Sequence, residues 1–174
     1  MKKVLLHICC GVCAFGCIEK LKANDFYVEG FFFNPNIHPY QEYEKRKDVL
    51  KIVSEIYQIN IREGEYVPTL WYNLCEAYKD EPEGGIRCKI CYKIRLQETF
   101  KLCQTLKFDY FTTTLTISPH KNSRVIFDIG RNISENHFLQ IDFKKDNGFK
   151  RTQELSHRYK VYHQNYCGCI YSKR

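Results

Sequence analysis

Seven of the ten cysteines in this 174-residue chain lie in three short groups. Along the chain the groups are Cys9, Cys10 and Cys13; Cys88 and Cys91; Cys167 and Cys169. Thiolates that are close in sequence can bind one ion or cluster with little additional loss of loop-closure entropy. Because long stretches separate the groups, only the tertiary structure can bring them together. The sequence therefore predicts a metal centre inside one domain.

The sequence favours reduced or metal-bound thiols over disulfides. Disulfide-rich small domains are typical of secreted proteins, which carry a signal peptide. Here the N-terminal apolar run, residues 4–6, is interrupted by His7, and no small-residue cleavage site follows it. No stretch approaches the roughly 18 apolar residues of a membrane span. These features predict a cytoplasmic protein with no membrane partner.

Positive charge is concentrated near the end of the chain. The formal net charge is +7, and residues 141–174 contain eight Lys or Arg against three Asp or Glu. The same stretch contains six Phe or Tyr residues. Basic side chains interleaved with aromatic rings are typical of proteins that bind single-stranded or loop RNA. A solvated basic tail whose tyrosines pack on the core would have the same composition, so this pattern leaves both interpretations open.

The hydrophobic pattern alternates between strands and helices. The predicted strands are 3–8, 26–34, 109–115 and 137–142. The predicted helices are 11–23, 40–57, about 69–78 and 88–106, with a further helix opening at Ser118 and Pro119. Such alternation is typical of a parallel sheet covered by helices on both faces. We expect a single α/β domain, 1–174, with an open and mostly parallel sheet.

Chemically active groups follow the predicted strands at their carboxyl ends, where open parallel sheets form their sites. The first cysteine group follows the first strand, the loop 34–39 follows the second, and Asp142 closes the fourth. We therefore expect a metal site at this edge of the sheet. The third cysteine group lies in the basic aromatic segment 143–174, which would fold over the site as a lid.

The number of grouped thiols indicates the kind of metal. A structural zinc site takes four ligands, so seven thiols are too many for one such site. A 4Fe–4S cluster commonly takes four thiolates, which leaves about three for a second ion or for catalysis. Adjacent Cys9 and Cys10 are expected to diverge, which suits two neighbouring metals. The spacing favours an iron–sulfur centre, and zinc or a redox dithiol remain alternatives.

Five motifs occur in order over nearly the whole chain. They are Leu5–Cys13, Asn34–Arg46, Arg87–Leu96, Thr112–Asn122 and Gln164–Cys169. Together they resemble the motifs of the cobalamin-independent epoxyqueuosine reductases, the QueH family. The resemblance implies reduction of the epoxide of epoxyqueuosine in tRNA to give queuosine. It also implies a 4Fe–4S cluster beside a second, mononuclear iron that is held by cysteines and a carboxylate.

On this resemblance, ligands can be assigned. The predicted ligands of the cluster are Cys10, Cys88, Cys91 and Cys169. The predicted ligands of the second iron, and thus the catalytic residues, are Cys9, Asp142 and Cys167. The implied partners are a tRNA anticodon loop that carries epoxyqueuosine and an electron donor that the sequence does not identify.

Other residues have weaker assignments. Cys13 belongs to the first motif but has no predicted role. Three residues are candidates for proton delivery or for contacts with phosphate and ribose: Lys121, His38 and His120. The cysteines outside the groups are expected to be small buried hydrophobic residues: Cys17, Cys75 and Cys103. His7 is expected to be structural, and Arg87 and Arg95 could simply pair with acidic neighbours.

Two further functions are compatible with parts of the sequence. A tRNA sulfur-transfer enzyme of the ATP-pyrophosphatase type could share the alternating sheet and the cysteines. Such enzymes carry a Ser/Gly-rich phosphate loop after the first strand, where this chain has 9–13, Cys-Cys-Gly-Val-Cys. The non-enzymatic alternative is a zinc-stabilised RNA-binding module.

Overall fold

A four-stranded parallel sheet forms the centre of the protein in a computed structural model that describes residues 1–173. The strand order is β3-β2-β1-β4. The strands are β1 (Lys3–His7), β2 (Tyr27–Phe32), β3 (Ile61–Glu63) and β4 (Tyr110–Thr113). All three pairings are parallel, and β1 lies between β2 and β4. Because β1 is paired on both edges and covered on both faces, its sequence is a continuous apolar run.

Helices cover both faces of the sheet. One face carries α1 (Gly11–Ala23), α2 (Tyr40–Tyr57) and α6 (Gly148–Arg158). The other carries α3 (Pro68–Cys75), α4 (Ile86–Thr105) and α5 (Ser123–Ser134). Short 3₁₀ helices span Glu76–Tyr78, Thr114–Ile117 and Ile170–Ser172.

Two hydrophobic cores result from the alternation of side chains along β1. Val4 and Leu6 belong to the core beneath α1, α2 and α6, whereas Leu5 belongs to the core beneath α3, α4 and α5. The predicted α/β domain with a parallel sheet between two helical layers is confirmed. Within residues 1–173, no helix has both the length and the apolar character needed to cross a membrane.

The predicted fourth strand, 137–142, is wrong. Only Phe138 forms a bridge, with Phe111 of β4, and no strand extends beyond it. The reason is that β4 ends at Thr113 and turns into the 3₁₀ helix Thr114–Ile117. Beyond Phe138 the segment is held by side chains, because the hydroxyls of Thr112 and Thr116 donate to the carbonyls of Leu139 and Ile141.

Three other elements differ from the prediction. The short edge strand β3 was not predicted, because three residues are too few for a periodic pattern. The helix expected at Ser118 begins at Ser123 instead, since the Asn122 side chain accepts a hydrogen bond from Arg124 N and caps it. Helix α6 was also missed, and it occupies part of the segment expected to be a lid.

Candidate metal centre

All seven grouped cysteines line one cavity of about 770 Å³. The cavity lies at the carboxyl ends of β1 and β4, where the chain leaves the sheet for α1 and for the 3₁₀ helix Thr114–Ile117. The remaining cysteines do not line it and are fully buried in the two cores: Cys17, Cys75 and Cys103. The edge of the sheet predicted for the metal site is therefore the edge at which the thiols meet.

The first cysteine group is built by the start of one helix. Cys10 is the N-cap of α1, and its sulfur accepts a hydrogen bond from the backbone N–H of Cys13 at 3.4 Å. The Cys10 and Cys13 sulfurs are 2.8 Å apart, and those of Cys9 and Cys10 are 4.0 Å apart. The expectation that Cys9 and Cys10 diverge is thus wrong. We call these three residues the N-terminal triad.

The triad has the spacing of ligands to a single ion. Its three sulfurs lie within 4.8 Å of one another, and no other set of three potential ligands in residues 1–173 is as close. Metal–thiolate bonds of about 2.3 Å in a tetrahedron place sulfurs about 3.8 Å apart. This is close to the 4.0 Å between Cys9 and Cys10, whereas the 2.8 Å between Cys10 and Cys13 would have to widen around an ion. The geometry therefore gives Cys13 a candidate role that the sequence did not indicate.

Hydrogen bonds place negative charge on Cys9. Donation from the Cys10 and Cys13 thiols, and from the Thr114 hydroxyl at 3.2 Å, holds the pKa of Cys9 well below its usual value. Burial raises the pKa of Cys10 to about 12, and hydrogen bonds with Cys10 and Cys9 hold the pKa of Cys13 well above its usual value. Of the three thiols, Cys9 therefore ionises most readily, and a bound cation would favour ionisation of the other two.

The other four thiols come from two distant parts of the chain. Cys88 and Cys91 lie in the first two turns of α4, and the Cys88 sulfur accepts a hydrogen bond from Gly84 N at 3.2 Å. A hydrogen bond from Cys169 lowers the pKa of Cys167 to about 5. We call Cys88, Cys91, Cys167 and Cys169 the composite group. Within residues 1–173 it contains no set of three sulfurs as close together as those of the triad.

A buried ion pair on α2 holds the C-terminal tail, residues 159–173, across the cavity. Arg46 and Glu42 are almost fully buried and 2.7 Å apart. The Arg46 guanidinium also donates to the carbonyls of Tyr166 and Cys167 at 2.8 and 3.0 Å. On the tail side, the Tyr162 hydroxyl donates to the second oxygen of Glu42 at 2.7 Å. The ion pair therefore positions Cys167 and Cys169 although neither of its members contacts a sulfur.

The backbone of the Cys-Gly-Cys turn is also anchored. Gly168 has φ of 105° and accepts a hydrogen bond from His38 N at 2.8 Å. A side chain at position 168 would place its Cβ 2.9 Å from Ile37 Cγ1. Glycine is required here both for its positive φ and for the close approach to the loop after β2.

Two buried arginines at the cavity have no carboxylate partner among residues 1–173. Arg95 donates to the Cys91 carbonyl at 3.1 Å. The nearby groups that can carry negative charge include the thiols Cys91, Cys9 and Cys167. Arg87 donates to backbone carbonyls, and its Nε has no partner. The alternative that these arginines pair with acidic neighbours is wrong.

Uncompensated buried cations indicate that the site is built for an anionic group. A buried guanidinium is costly unless negative charge lies beside it. Thiolates that hold an iron–sulfur cluster supply such charge at this position. The residues present therefore fit an iron–sulfur cluster.

Asp142 lies beside the cavity and does not line it. Its carboxylate is 3.1 Å from Lys144 Nζ. Burial opposes ionisation, but hydrogen bonds from Lys144 and Ser123 outweigh it and hold the pKa of Asp142 below its usual value. Asp109 lies at the opposite end of the sheet, where it accepts hydrogen bonds from Lys2 Nζ and Lys3 N. The ligand role of Asp142 stays a prediction.

The candidate polar residues divide into two sets. His120 and Lys121 line the cavity, whereas His38 does not. His38 packs against Trp71 and Tyr72, and burial lowers its pKa to about 4. His7 is structural, with its ring nitrogens 2.9 Å from Thr113 Oγ1 and 3.2 Å from the Phe33 carbonyl.

Sequence reasoning missed the residues that contact or position the sulfurs. Gln164 Nε2 donates to Cys10 Sγ at 2.8 Å, so the tail also contacts the triad. Gln164, Thr114 and Arg46 all lie within the five motifs. The sequence pointed to these three residues only through the motifs that contain them, because nothing in the spacing of a lone Gln, Thr or Arg indicates a contact with sulfur.

A family model described as "Epoxyqueuosine reductase QueH" matches residues 4–174. The chain belongs to the QueH family. A QueH relative from Streptococcus pyogenes is 39% identical over 98% of this chain and 70% of its own length. One from Thermotoga maritima is 36% identical over 99% of this chain and 91% of its own length. Both are named epoxyqueuosine reductase QueH, which confirms the family predicted from the five motifs.

The fold is also similar to that of a solved structure outside the family. This is the U34-tRNA thiolase NcsA from Methanococcus maripaludis with its [4Fe-4S] cluster. The TM-score is 0.58 at 12% identity, and the match covers 99% of this chain and 61% of the thiolase chain. At this identity the likeness shows a shared fold alone.

Proposed function

We propose that this protein, as a QueH epoxyqueuosine reductase, converts epoxyqueuosine in tRNA into queuosine with a 4Fe–4S cluster and an adjacent iron. The observation that carries the proposal is the meeting of all seven grouped cysteines in one cavity, beside buried arginines that lack carboxylate partners. Two electrons and two protons remove the epoxide oxygen as water and leave a carbon–carbon double bond.

The geometry supports a partition of the thiols that differs from the one predicted from the sequence. The composite group supplies four thiolates, the number that a 4Fe–4S cluster commonly takes. The N-terminal triad supplies three closely spaced sulfurs, which suit the second iron. In this partition Cys10 and Cys167 exchange places relative to the sequence prediction, and Cys13 takes the position predicted for Asp142.

When bound, the cluster would supply electrons one at a time, and the second iron would act as a Lewis acid. The chain's own residues supply the protons. Lys121 lies close enough for its charge to lower the pKa of both Cys9 and Cys167. Its ammonium makes no hydrogen bond or ion pair within residues 1–173, and is therefore free to donate a proton to the leaving oxygen. His120, the neighbouring residue on the cavity wall, is a candidate donor of the second proton.

The tail covers one side of the site. Residues 163–167, with Cys169, form one wall of the cavity, and Arg46 holds this wall to α2. An external donor must reach the site, because every turnover consumes two electrons that the protein has to recover before the next one. We propose tRNA and this electron donor as the partners of the protein.

The alternative functions lack support at this site. The position that an ATP-pyrophosphatase uses for its phosphate loop is occupied by the N-terminal triad, whose thiol side chains fill the space next to the start of α1. A structural zinc module would have closed, four-ligand sites, whereas here the thiols line a large open cavity.

Metal and sulfide analysis of anaerobically purified protein tests the cofactors. We expect about five iron atoms and four sulfides per chain. Four irons with four sulfides would leave the cluster and remove the second iron, and a single zinc without sulfide would remove both. Activity is tested separately by incubating the protein with dithionite and tRNA that carries epoxyqueuosine, followed by nucleoside mass spectrometry. Loss of one oxygen atom is the expected change.

A further inference from the structure

One aromatic ring faces solvent at the mouth of the cavity. Phe149 lies in the first turn of α6, lines the cavity and is 38% exposed. Within residues 1–173 it stacks with no other aromatic ring. Exposure of a phenylalanine ring to water is unfavourable in free energy. The core beneath α6 is filled by other residues, Leu155 among them, and not by Phe149.

The backbone beneath this ring is rigid. A Cβ at Gly148 would lie 1.8 Å from the Phe143 carbonyl oxygen, so the start of α6 packs directly against the preceding turn. One turn later, a Cβ at Gly16 of α1 would lie 2.3 Å from Thr152 Oγ1, which shows equally close packing between the two helices. A ring on so fixed a base is pre-organised to stack on a flat partner.

The charge around the mouth identifies the class of that partner. Lys121 lines the cavity together with Phe149, and Lys145 and Lys150 lie close to Phe149 in sequence. None of these three lysines makes an ion pair within the described residues. The nearby carboxylate of Asp146 is already paired with Lys20 at 2.8 Å. On the opposite side the cavity is bordered by the acidic segment 76–83, which has four carboxylates and one lysine. A polyanion is therefore attracted to the Phe149 side and repelled from the other.

We propose that Phe149 is a stacking platform for one unpaired base of the RNA loop that carries the substrate. An aromatic face beside free cations is the arrangement with which proteins bind single-stranded nucleic acid. Lys121, Lys145 and Lys150 contact the phosphates that flank this base. The inference rests on the proposed function and adds to it the residue that receives the loop. When the loop is held at the mouth, the epoxide-bearing substituent of the modified base is free to extend toward the thiols.

Equilibrium binding to an unmodified RNA tests this inference without requiring turnover. The probe is a hairpin of the anticodon stem and loop, and the reference is a fully paired duplex of the same stem. The anaerobically purified protein is compared with Phe149→Leu, which keeps an apolar side chain without a π face, and with Phe149→Trp, which keeps the face. Tyr27→Leu is the matched control, because Tyr27 is 41% exposed and begins β2 at the opposite end of the sheet.

Phe149→Leu is expected to weaken binding of the hairpin about tenfold and to leave binding of the duplex unchanged. Phe149→Trp and Tyr27→Leu should bind the hairpin as the parent protein does, and iron content should be equal in all four proteins. Hairpin binding by Phe149→Leu equal to that of the parent would overturn the inference and leave the proposed function intact. A parent protein that does not prefer the hairpin to the duplex would overturn both the stacking site and the RNA-loop partner.

Discussion

The two sets of thiols reach the same cavity by different routes. The N-terminal triad is formed within five residues, where β1 ends and Cys10 caps α1. The composite group joins the start of α4 to a tail that lies more than seventy positions further along the chain. Local backbone geometry is sufficient to assemble the triad. The composite group exists only if the tail is held in place, so its geometry depends on contacts far from the sulfurs.

This difference assigns distinct roles to the surrounding residues. Thr114 and the helix start act on the triad directly, through hydrogen bonds to Cys9 and Cys10. Arg46, Glu42 and Gly168 act on the composite group through the backbone of the tail. Gln164 belongs to both sets, because it lies in the tail and donates to Cys10 of the triad.

The largest effect is expected from removal of the tail. Deletion of 165–174 removes two ligands of the composite group, so the cluster and the activity should be lost together. Sulfide analysis and visible absorbance of the anaerobic protein measure the loss. The N-terminal triad should still bind one metal ion, and Cys103→Ala, which changes a buried thiol outside the cavity, is the control. A truncated protein with full iron content and normal turnover would show that the tail is only a surface extension.

The next largest effect separates the candidate ligands of the second iron. Cys13→Ala should lower the iron content by about one atom with four sulfides retained. Turnover should fall more than about a hundredfold, because the Lewis acid is lost. Iron and sulfide analysis, together with single-turnover assays, measure both changes.

The sequence predicted the same outcome for Asp142→Ala, because a hard carboxylate oxygen suits a mononuclear iron better than a thiolate-held cluster. If the N-terminal triad holds the second iron, as we propose, the Asp142→Ala protein should keep its fifth iron. Asp109→Ala, at the opposite end of the sheet, should change stability alone and serves as the control. Loss of the fifth iron in Asp142→Ala but not in Cys13→Ala would restore the ligand set predicted from the sequence.

A smaller effect is expected from the ion pair that positions the tail. Arg46→Met leaves the Glu42 carboxylate buried and unpaired, which should lower the free energy of unfolding by about 3 kcal/mol. Cluster content should fall in part, while the metal of the triad is retained. Arg131→Met is the control, since Arg131 and its partner Asp128 are both exposed and the pair contributes about 1 kcal/mol or less. Urea denaturation measures the free energy of unfolding, and sulfide analysis measures the cluster content. Equal changes in the two variants would contradict the positioning role.

The smallest effect is expected at the one residue that joins the two sets. Gln164→Leu removes the hydrogen bond to Cys10 and keeps the size of the side chain. Activity should fall about tenfold with full metal content, as for other residues that tune a metal ligand. Gln153→Leu, on another wall of the cavity, is the matched control. Metal loss in Gln164→Leu as large as in the tail deletion would mean that Gln164 holds the tail rather than tuning the triad.

Much of the fold could be predicted from the sequence. The alternation of strands and helices was confirmed, and β1, β2, α1, α2 and α4 begin and end within two residues of their predicted bounds. The strand β3 is too short to show a pattern, whereas α6 is amphipathic and was missed because its segment was interpreted only as a basic aromatic tail. The segment 137–142 resembles a strand in composition, but its partner β4 ends too early, and Thr112 and Thr116 hold it instead. Pairing is a property of two segments, so one segment's pattern does not determine it.

The sequence by itself predicted that the grouped thiols meet at the carboxyl ends of the strands, since cysteine grouping and strand polarity are local properties, and all seven do line one cavity there. It also determined the family, through five motifs whose order and spacing were enough. Which thiols lie next to one another was decided by the tertiary structure. Whether Cys10 lies with Cys13 or with Cys169 depends on how the tail docks on α2, and that docking rests on a buried ion pair and a glycine turn. Distances between sulfurs from distant segments are set by packing, which no single segment encodes.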